Sequence, residues 1–341
     1  MNSPNRRDFL KLLAGLTSGL LIPLQGSTFA NKSFNSKDKY GERLPLRKLG
    51  NTGEMVTMLG LGGYHIGWTT EKKAQETIEA AIEGGIRFFD TAENYSDGGS
   101  EKRYGKYLTP NYRDEIFLMT KTFAKDAKGV REDLEGSLRR MKTDVIDLWQ
   151  IHSLGTLNDV DNRIENEVVD VLSEAKRSGK VRYIGFTGHQ SPYTHERMLD
   201  KTGEKTFDAC QFPVNVVDAS VKDSFIKHVM PRVLDRNIGV IAMKTLADGR
   251  FFSKKIQNGS VFWDTDNPVI PDHLTIEEAL SFAWSLPISV LITGAENPQL
   301  VKEKINFAKR FEKISQAERE KLIDKVMDMA EREKVEYYKN V

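Results

Sequence analysis

The stretch from residue 145 to residue 186, VIDLWQIHSLGTLNDVDNRIENEVVDVLSEAKRSGKVRYIGF, places a helical pattern between two apolar runs. The runs at residues 145–151 and 181–186 have the length and apolar character of buried strands, whereas residues 164–177 repeat apolar side chains at spacings of three and four. Gly179 follows the helical pattern, at a point where a helix end commonly needs a positive φ. A strand, a helix and a second strand in this order predict two parallel strands joined by a helix.

The same alternation continues on both sides of this stretch. Further strand-like runs cover residues 55–61, 86–90, 116–120, 208–212, 239–243 and 289–292. Further helical patterns cover residues 71–83, 100–108, 130–141, 192–201, 223–236, 276–286 and 301–307. Eight strand and helix pairs in strict alternation are enough to close a parallel barrel. The sequence therefore predicts one α/β domain, a (β/α)8 TIM barrel, over residues 45–341.

Three segments exceed this minimal plan. Residues 44–58 contain Gly50-Asn51-Thr52-Gly53 between alternating residues, which predicts a β-hairpin closing one end of the barrel. Residues 247–273 form a long insertion after the seventh strand, and its aromatic residues either pin the loop to the barrel or line a pocket. Residues 315–338 predict an extra charged helix whose lysines and glutamates face solvent.

The composition excludes several classes of protein. The 341 residues include 50 Lys plus Arg and 49 Asp plus Glu, a formal net charge of +1, which provides no global attraction to nucleic acid. The single cysteine, Cys210, cannot close an intrachain disulfide. We therefore expect a stable core without covalent cross-links, and no nucleic-acid partner.

The first thirty residues resemble a twin-arginine export signal. Arg6 and Arg7 precede Phe9-Leu10-Lys11, an apolar run follows over residues 12–24, and a small residue, Ala30, ends the segment. The run is too short for a confident membrane span. The resemblance implies a signal peptide at 1–30, a linker at 31–44, export by the twin-arginine machinery to the periplasm and no stable membrane span after processing. Inefficient export, with a cytoplasmic fraction, is the alternative.

Four polar side chains lie at or just after the ends of three consecutive strands of the predicted barrel. Asp90 ends the second strand, Lys121 ends the third and His152 ends the fourth, while Tyr95 follows Asp90 in the loop. In barrels of this kind the active site lies at the carboxyl ends of the strands. We therefore expect these four residues, called the tetrad below, to converge on one point.

The tetrad has a consistent chemistry. A phenol has a pKa near 10, so Tyr95 is a weak acid at neutral pH, and a nearby Lys121 ammonium is expected to lower that pKa. Asp90 would hold the ammonium in place. A neutral His152 would orient a carbonyl oxygen beside the Tyr95 hydroxyl. Because no tetrad residue can donate a hydride, this arrangement requires a redox cofactor.

The tetrad, in this order and on these strands, closely resembles that of the aldo-keto reductases. Matching segments are residues 59–64 (LGLGGY), residues 182–187 (RYIGFT), Gln211, and Gly294-Ala295, and the resemblance covers about residues 45–310. It implies a monomeric barrel that binds a nicotinamide dinucleotide in extended form and reversibly reduces aldehydes or ketones to alcohols. By the same resemblance, Tyr95 is the general acid and base.

The resemblance also implies ligand contacts. Thr187 and Gln211 would hold the carboxamide, with His189 replacing a missing amide after Gly188, and Met243 would stand where an aromatic ring commonly stacks on the nicotinamide. The other implied cofactor residues are Gly63, Tyr64, Asp90, Gly188, Lys244, Leu246, Gly294, Leu300, Glu303 and Lys304. The implied substrate residues are Tyr64, Trp68, His152 and Trp263.

The form of the coenzyme stays open at this point. Family habit favours NADP(H), but Gly294 and Leu300 stand where NADPH-preferring members often carry Lys and Arg, so NAD(H) is the alternative. The basic residues that could substitute are Lys244, Arg250, Lys302 and Lys304.

Two other functional classes compete with a reductase. A metal-dependent hydrolase could use Asp90, His152 and His189, but the tight histidine pair expected on an early strand is missing from the sequence, so we predict no metal. The stronger rival is a non-catalytic redox sensor resembling the β subunits of potassium channels. The remaining histidines belong to no such set and are expected in loops or at the surface: His65, His195, His228 and His273.

Overall fold

Eight parallel strands close into a barrel in the computed structural model, which describes residues 36–257, 260–330 and 335–339. The barrel strands, numbered in chain order, are β1 Leu59–Gly62, β2 Phe88–Asp90, β3 Phe117–Thr122, β4 Ile146–Ile151, β5 Val181–Thr187, β6 Ala209–Pro213, β7 Gly239–Met243 and β8 Val290–Gly294. Each strand pairs with its successor, and β8 pairs with β1, with Leu291 opposite Leu59. The predicted (β/α)8 architecture is confirmed.

Helices surround the strands and follow the predicted alternation. They are Gly63–Trp68, Glu71–Glu83, Gly99–Tyr107, Thr109–Tyr112, Ala127–Met141, Leu157–Glu165, Val168–Arg177, Pro192–Lys201, Phe225–Asp235, Ile276–Trp284, Pro298–Lys309, Gln316–Asp324 and Met327–Ala330. The pattern at 164–177 is divided between two of these helices because Glu167 takes a left-handed conformation, with φ of 61°. No helix among the described residues is long and apolar enough to cross a membrane.

The predicted hairpin closes the amino-terminal end of the barrel. Leu46–Lys48 pairs antiparallel with Met55–Thr57, so residues 55–57, predicted as part of the first strand, belong to the hairpin. Leu49 and Val56 are buried in the same apolar cluster as Phe88, Leu148 and other inward-facing strand residues. The hairpin therefore closes the amino-terminal end of the barrel interior. The carboxyl-terminal end is left for the predicted active site.

The insertion after β7 folds back over the carboxyl end of the barrel. Two short strands, Lys254–Gln257 and Ser260–Asp264, form a hairpin within it. Phe251 is fully buried and Trp263 nearly so, whereas Phe262 is 58% exposed. Most of these aromatic rings pin the loop to the barrel.

The carboxyl-terminal segment differs from the charged, solvated helix that the sequence predicts. After Gln316–Asp324 and Met327–Ala330 the chain ends its described part in a 3-10 turn, Tyr337–Lys339. Glu336 and Tyr338 are buried. The Lys339 ammonium lies 2.6 Å from both Asp218 Oδ1 and Glu336 Oε2. The extra helix is confirmed at Gln316–Asp324, but the prediction of a solvated helix was wrong for residues 335–338, because Lys339 pairs with Asp218 of a distant loop, which no local pattern reveals.

The predicted export signal at residues 1–30, and residues 31–35 of the predicted linker, lie outside the described residues. The described chain begins with a small antiparallel pair, Lys37–Asp38 with Gly41–Glu42. Asp38 accepts two hydrogen bonds from the buried Arg87 guanidinium, at 2.6 and 2.9 Å, so this segment is tied to the start of β2. This pairing is bidentate, the stronger geometry for an arginine and a carboxylate.

Substituting Gly105 by alanine is expected to destabilise the fold. A Cβ at Gly105 would overlap the backbone carbonyl oxygen of Arg140, so helices Gly99–Tyr107 and Ala127–Met141 could not keep their spacing. Overpacking of this kind costs about 1–3 kcal/mol. We expect thermal unfolding to begin several degrees lower than in the wild type. Gly203→Ala is the matched control, since its Cβ would meet only Thr206 Oγ1, at 3.3 Å; an equal effect of both changes would contradict this explanation.

Candidate active site

The strand ends bring the tetrad together. Asp90 is the last residue of β2, Lys121 lies near the end of β3, and His152 directly follows β4. Tyr95 reaches back from the loop after β2. Since neighbouring parallel strands end on the same side of a barrel, all four side chains line a single cavity there.

Lys121 is the most constrained member of the tetrad. Its side chain is buried, and its ammonium donates to Asp90 Oδ1, to the Thr91 carbonyl at 2.7 Å and to Tyr95 Oη at 3.5 Å. An ammonium has three donors, so its capacity is fully used. Burial favours the neutral amine, but the Asp90 carboxylate and Tyr95 outweigh it and raise the pKa of Lys121. Lys121 therefore carries a fixed positive charge at neutral pH.

Tyr95 differs from the sequence expectation in its acidity. Burial raises the pKa of the phenol, and the Asp90 carboxylate adds to this effect, while the Lys121 ammonium lowers the pKa only in part. The net direction is upward, so the expected lowering was wrong. The reason is that the low-dielectric surroundings penalise the phenolate more than one ammonium, 3.5 Å from the hydroxyl, stabilises it. Tyr95 thus holds its proton at neutral pH.

His152 faces the same point as a neutral ring. Burial lowers its pKa well below the ordinary value, and the Lys121 charge lowers it further. Its ring lies edge-on to Tyr95, with centroids 5.5 Å apart, and to Phe123, at 6.0 Å. Its Nδ1 is buried without a hydrogen-bond partner among the described residues. The packing fixes the orientation of the ring, and Nδ1 remains free to make a hydrogen bond.

A cavity of about 620 Å³ extends from the tetrad to the end of β8, a volume ordinary for small-molecule and cofactor sites. It contains all of the tetrad and most of the other predicted ligand residues. These are Tyr64, Thr187, His189, Gln211, Met243, Lys244, Leu246, Gly294, Leu300, Glu303 and Lys304.

Four predicted ligand residues lie outside the lining of this cavity. The two glycines serve backbone packing: a Cβ would come within 2.5 Å of Ser100 Oγ at Gly63, and within 2.8 Å of His195 Cε1 at Gly188. Trp68 packs against His65, with ring centroids 5.3 Å apart, and Trp263 lies beneath the Arg250 guanidinium, at 4.8 Å. The aromatic side chains on the cavity wall are instead Tyr64, Tyr95, Phe123 and Phe252.

Two unpaired acceptors lie on the wall beside the tetrad. Gln211 hydrogen-bonds Asp90, and its Oε1 is buried without a partner among the described residues. His189 bonds the Tyr338 backbone, and its Nδ1 is likewise buried and unpaired. Burial lowers the pKa of His189 to about 4, so this ring is neutral. Since an unsatisfied buried acceptor is costly, these two atoms fit the amide N–H groups of a carboxamide such as that of nicotinamide.

Positive charge is concentrated in the middle of the cavity, on the loop after β7. Lys244 and Lys255 both approach Asp248, at 3.9 and 3.8 Å, and Lys254 lines the same wall. Two ammonium groups share the Asp248 carboxylate and Lys254 adds a third positive charge to the wall, so a net positive charge remains for an anionic ligand. A diphosphate fits this surplus.

The carboxyl-terminal segment holds this loop, a role that the sequence patterns do not reveal. Tyr337 Oη donates to Asp248 Oδ2 at 2.6 Å, and the Lys244 ammonium lies 5.2 Å from the Tyr338 ring. The Tyr338 hydroxyl donates to Glu336 Oε1, at 2.7 Å. The only signal for these contacts was two adjacent tyrosines in an otherwise charged segment.

Of the histidines expected in loops or at the surface, His195 is buried and His65 is partly buried. His195 is fully buried between Phe186 and Phe225, at 5.3 and 5.1 Å between ring centroids. His65 lines the cavity, and its Nε2 lies 3.7 Å from Glu296 Oε1. Burial lowers the pKa of each to about 4. A single histidine does not alter the hydrophobic periodicity of its segment. The burial of these two rings therefore follows from tertiary packing and could not be predicted from the sequence.

Asp90, His152 and His189, on which a metal-dependent hydrolase would rely, line the same cavity. Asp90 is already engaged by Lys121 and Gln211. Within the described ranges of the chain, no three His, Cys, Asp or Glu side chains are grouped so that they could hold a metal ion.

Removing the Lys121 charge is expected to destabilise the protein through Asp90. Lys121→Met leaves the Asp90 carboxylate buried without its counter-ion, which costs about 3–5 kcal/mol. Denaturant unfolding should show this loss, and the double variant Asp90→Asn with Lys121→Met should recover part of it because no buried charge is then left unpaired. An equal or larger loss in the double variant would contradict the ion-pair explanation.

Comparisons with known proteins agree with this geometry. The chain is 31% identical over 224 residues to L-galactose dehydrogenase of Arabidopsis thaliana, covering 61% of this chain and 67% of that protein. It is 35% identical over 158 residues to 6-dehydroglucose reductase of Novosphingobium aromaticivorans, covering 41% and 50%. The holo form of an aldo-keto reductase from Bacillus halodurans shares the fold, with a TM-score of 0.68, 23% identity, and coverage of 83% of this chain and 96% of that one.

The sequence model described as the aldo/keto reductase family matches residues 58–336. The match spans the whole barrel and the tetrad, and this chain belongs to the aldo/keto reductase family.

Proposed function

We propose that this protein is an NAD(P)(H)-dependent oxidoreductase that reduces aldehydes or ketones to alcohols, reversibly, with Tyr95 as general acid and base. The observation that carries the proposal is the Lys121 ammonium, held between Asp90 and the Tyr95 hydroxyl on the wall of a cavity. The unpaired atoms of Gln211 and His189, and the lysines after β7, support a dinucleotide as the second ligand.

The residues of the tetrad divide the chemistry between them. A bound nicotinamide dinucleotide supplies the hydride to the carbonyl carbon in reduction and accepts it in oxidation. Tyr95 donates its proton to the carbonyl oxygen, which the neutral His152 ring orients by a hydrogen bond. The Lys121 ammonium stabilises the phenolate that remains, and Asp90 keeps Lys121 charged and in place. In the reverse direction the phenolate takes the proton back from the alcohol.

The burial that raises the pKa of Tyr95 makes the phenol a weaker acid before substrate binds. Proton donation therefore depends on the Lys121 ammonium, which stabilises the phenolate and lowers that pKa. The negative charge then develops beside an ammonium that is already oriented, so little reorganisation is needed.

Polar side chains at the mouth of the cavity favour hydroxylated substrates. Asn94 is exposed and Ser153 half-buried on the lining beside His152. The names of two relatives, L-galactose dehydrogenase and 6-dehydroglucose reductase, refer to sugars. We therefore propose carbohydrate aldehydes, ketones and alcohols as the first substrates to test.

Tyr95→Phe is expected to remove turnover while keeping the cavity intact. Loss of the general acid should lower kcat by about 100-fold or more, with cofactor affinity within about twofold of the wild type. The measurement is steady-state oxidation of NADPH and NADH with a panel of aldehydes, ketones and sugars. Tyr193→Phe, at an exposed tyrosine bonded to Asp223, is the matched control and should turn over normally. Unchanged turnover in Tyr95→Phe would overturn the role of Tyr95 as general acid. Cofactor binding by the wild type without turnover of any substrate would instead replace the reductase assignment by a redox sensor.

We also propose that the protein is exported by the twin-arginine route after folding. The support is the Arg6-Arg7 pair with its apolar run, in residues outside the described part of the structure. Replacing both arginines by lysine should retain the full-length protein inside a bacterial host. Lys37→Arg with Lys39→Arg, beyond the signal, is the control. Unchanged distribution between periplasmic and cytoplasmic fractions in the Arg6, Arg7 variant would refute export by this route.

A further inference from the structure

We propose that the cavity binds NAD(H) in preference to NADP(H), because Glu296 and Glu303 line the end that receives the adenosine ribose. This inference rests on the proposed function, and it departs from the family habit that favours NADP(H). It follows from the distribution of charge along the cavity.

The orientation of a dinucleotide follows from the position of the tetrad. Its nicotinamide must lie beside Tyr95 and His152, because a hydride can only reach a carbonyl carbon held there. That end of the cavity is formed by the loops after β2, β3 and β4. The cavity continues along the loop after β7 to the end of β8, the strand opposite β4 in the closed barrel. The adenosine half is therefore directed towards residues 294–304.

The middle of the cavity accounts for the diphosphate. Lys244, Lys254 and Lys255 lie on the loop after β7, and the nearby carboxylate is Asp248. The diphosphate on which these lysines act is the same in NAD(H) and NADP(H). The lysines therefore increase the affinity for both coenzymes and do not discriminate between them.

The far end has the opposite balance of charge. Glu296 follows β8 and Glu303 lies on helix Pro298–Lys309, and both carboxylates line the cavity. Leu300, 37% exposed, lies between them in the chain and also lines the cavity. His65, the nearest ring to Glu296, is neutral because burial lowers its pKa to about 4. It therefore adds no positive charge there.

Among the described residues after β8 that line the cavity, Lys304 is the one cation. Its ammonium is already hydrogen-bonded within the protein. Its ammonium donates to the Gly294 carbonyl at 2.9 Å, and the side chain is buried. Burial lowers its pKa to about 8. Lys304 thus stays mostly protonated at neutral pH, fixes the end of β8 and balances only one of the two carboxylates.

The other basic residues that could have bound a 2′-phosphate lie elsewhere. Arg250 stacks between Trp263 and Tyr337, at 4.8 and 4.1 Å from their ring centroids, and Lys302 is an exposed residue outside the cavity lining. Lys244 approaches Asp248 in the middle of the cavity.

These charges distinguish the two coenzymes at a single group. A 2′-phosphate carries between one and two negative charges at neutral pH and would face two carboxylates, an unfavourable like-charge contact. A free ribose 2′-hydroxyl can instead donate a hydrogen bond to a carboxylate, as in dinucleotide sites that select NAD. Glu296 and Glu303 are therefore the specificity-determining residues.

Calorimetric titration of the full chain with NAD⁺ and NADP⁺, and with ADP-ribose and its 2′-phosphorylated form, tests the inference without turnover. The ADP-ribose pair carries no nicotinamide, so it reports on the adenosine end alone. We expect the ligand without the 2′-phosphate to bind at least about tenfold more tightly in both pairs. In Glu296→Gln with Glu303→Gln, this preference should fall at least about fivefold, mainly through tighter binding of the phosphorylated ligands.

Glu83→Gln with Glu312→Gln removes the same charge from exposed helix and loop positions away from the cavity and should leave the preference unchanged. Equal or tighter binding of the 2′-phosphorylated ligands by the wild type overturns the inference but leaves the reductase proposal standing. A preference for NAD⁺ that the double variant keeps in full overturns the roles of Glu296 and Glu303. Binding of neither dinucleotide overturns both the inference and the proposed function.

Discussion

The buried ammonium of Lys121 is the constraint around which the site is organised. A charge without solvent is tolerated only where its donors are all satisfied, and here one carboxylate, one backbone carbonyl and one phenol satisfy them. These partners come from β2 and the loop behind it, so the pairing of β2 with β3 and the geometry of the ion pair depend on each other. The same ammonium lowers the pKa of the neighbouring His152 ring. Burial sets the direction of the pKa of both Tyr95 and His152, and the Lys121 charge lowers both values.

The loop after β7 depends on a second set of buried charges. Lys339 joins Asp218 and Glu336, and Tyr337 binds Asp248, so the end of the chain connects the loops after β6 and β7. The His189 ring hydrogen-bonds the Tyr338 backbone, so the end of the chain also contacts this part of the cavity wall. The described carboxyl-terminal residues therefore hold two parts of the cavity wall, His189 and the loop after β7, although they lie far from the tetrad in sequence.

The charge of the side chains that line the cavity differs from one part of the cavity to the next. Neutral polar groups surround the tetrad, lysines dominate the middle, and carboxylates line the end of β8. This distribution is a property of loops that extend from different strands, because the barrel strands themselves supply mainly apolar side chains to the interior. The barrel places the loops, and the loops carry the specificity.

The sequence by itself determined the barrel and the tetrad. Strand and helix patterns are local, and a barrel brings consecutive strand ends together in a regular way, so the convergence of Asp90, Lys121 and His152 follows from the order of residues alone. Only the tertiary structure decided the acidity of Tyr95, the burial of His195 and Glu336, the exclusion of Trp68 and Trp263 from the cavity wall, and the approach of Glu296 to His65. Each of these depends on contacts between residues distant in the chain, or on desolvation. Neither has a signature in local periodicity, because burial and electrostatic environment are properties of the packed molecule.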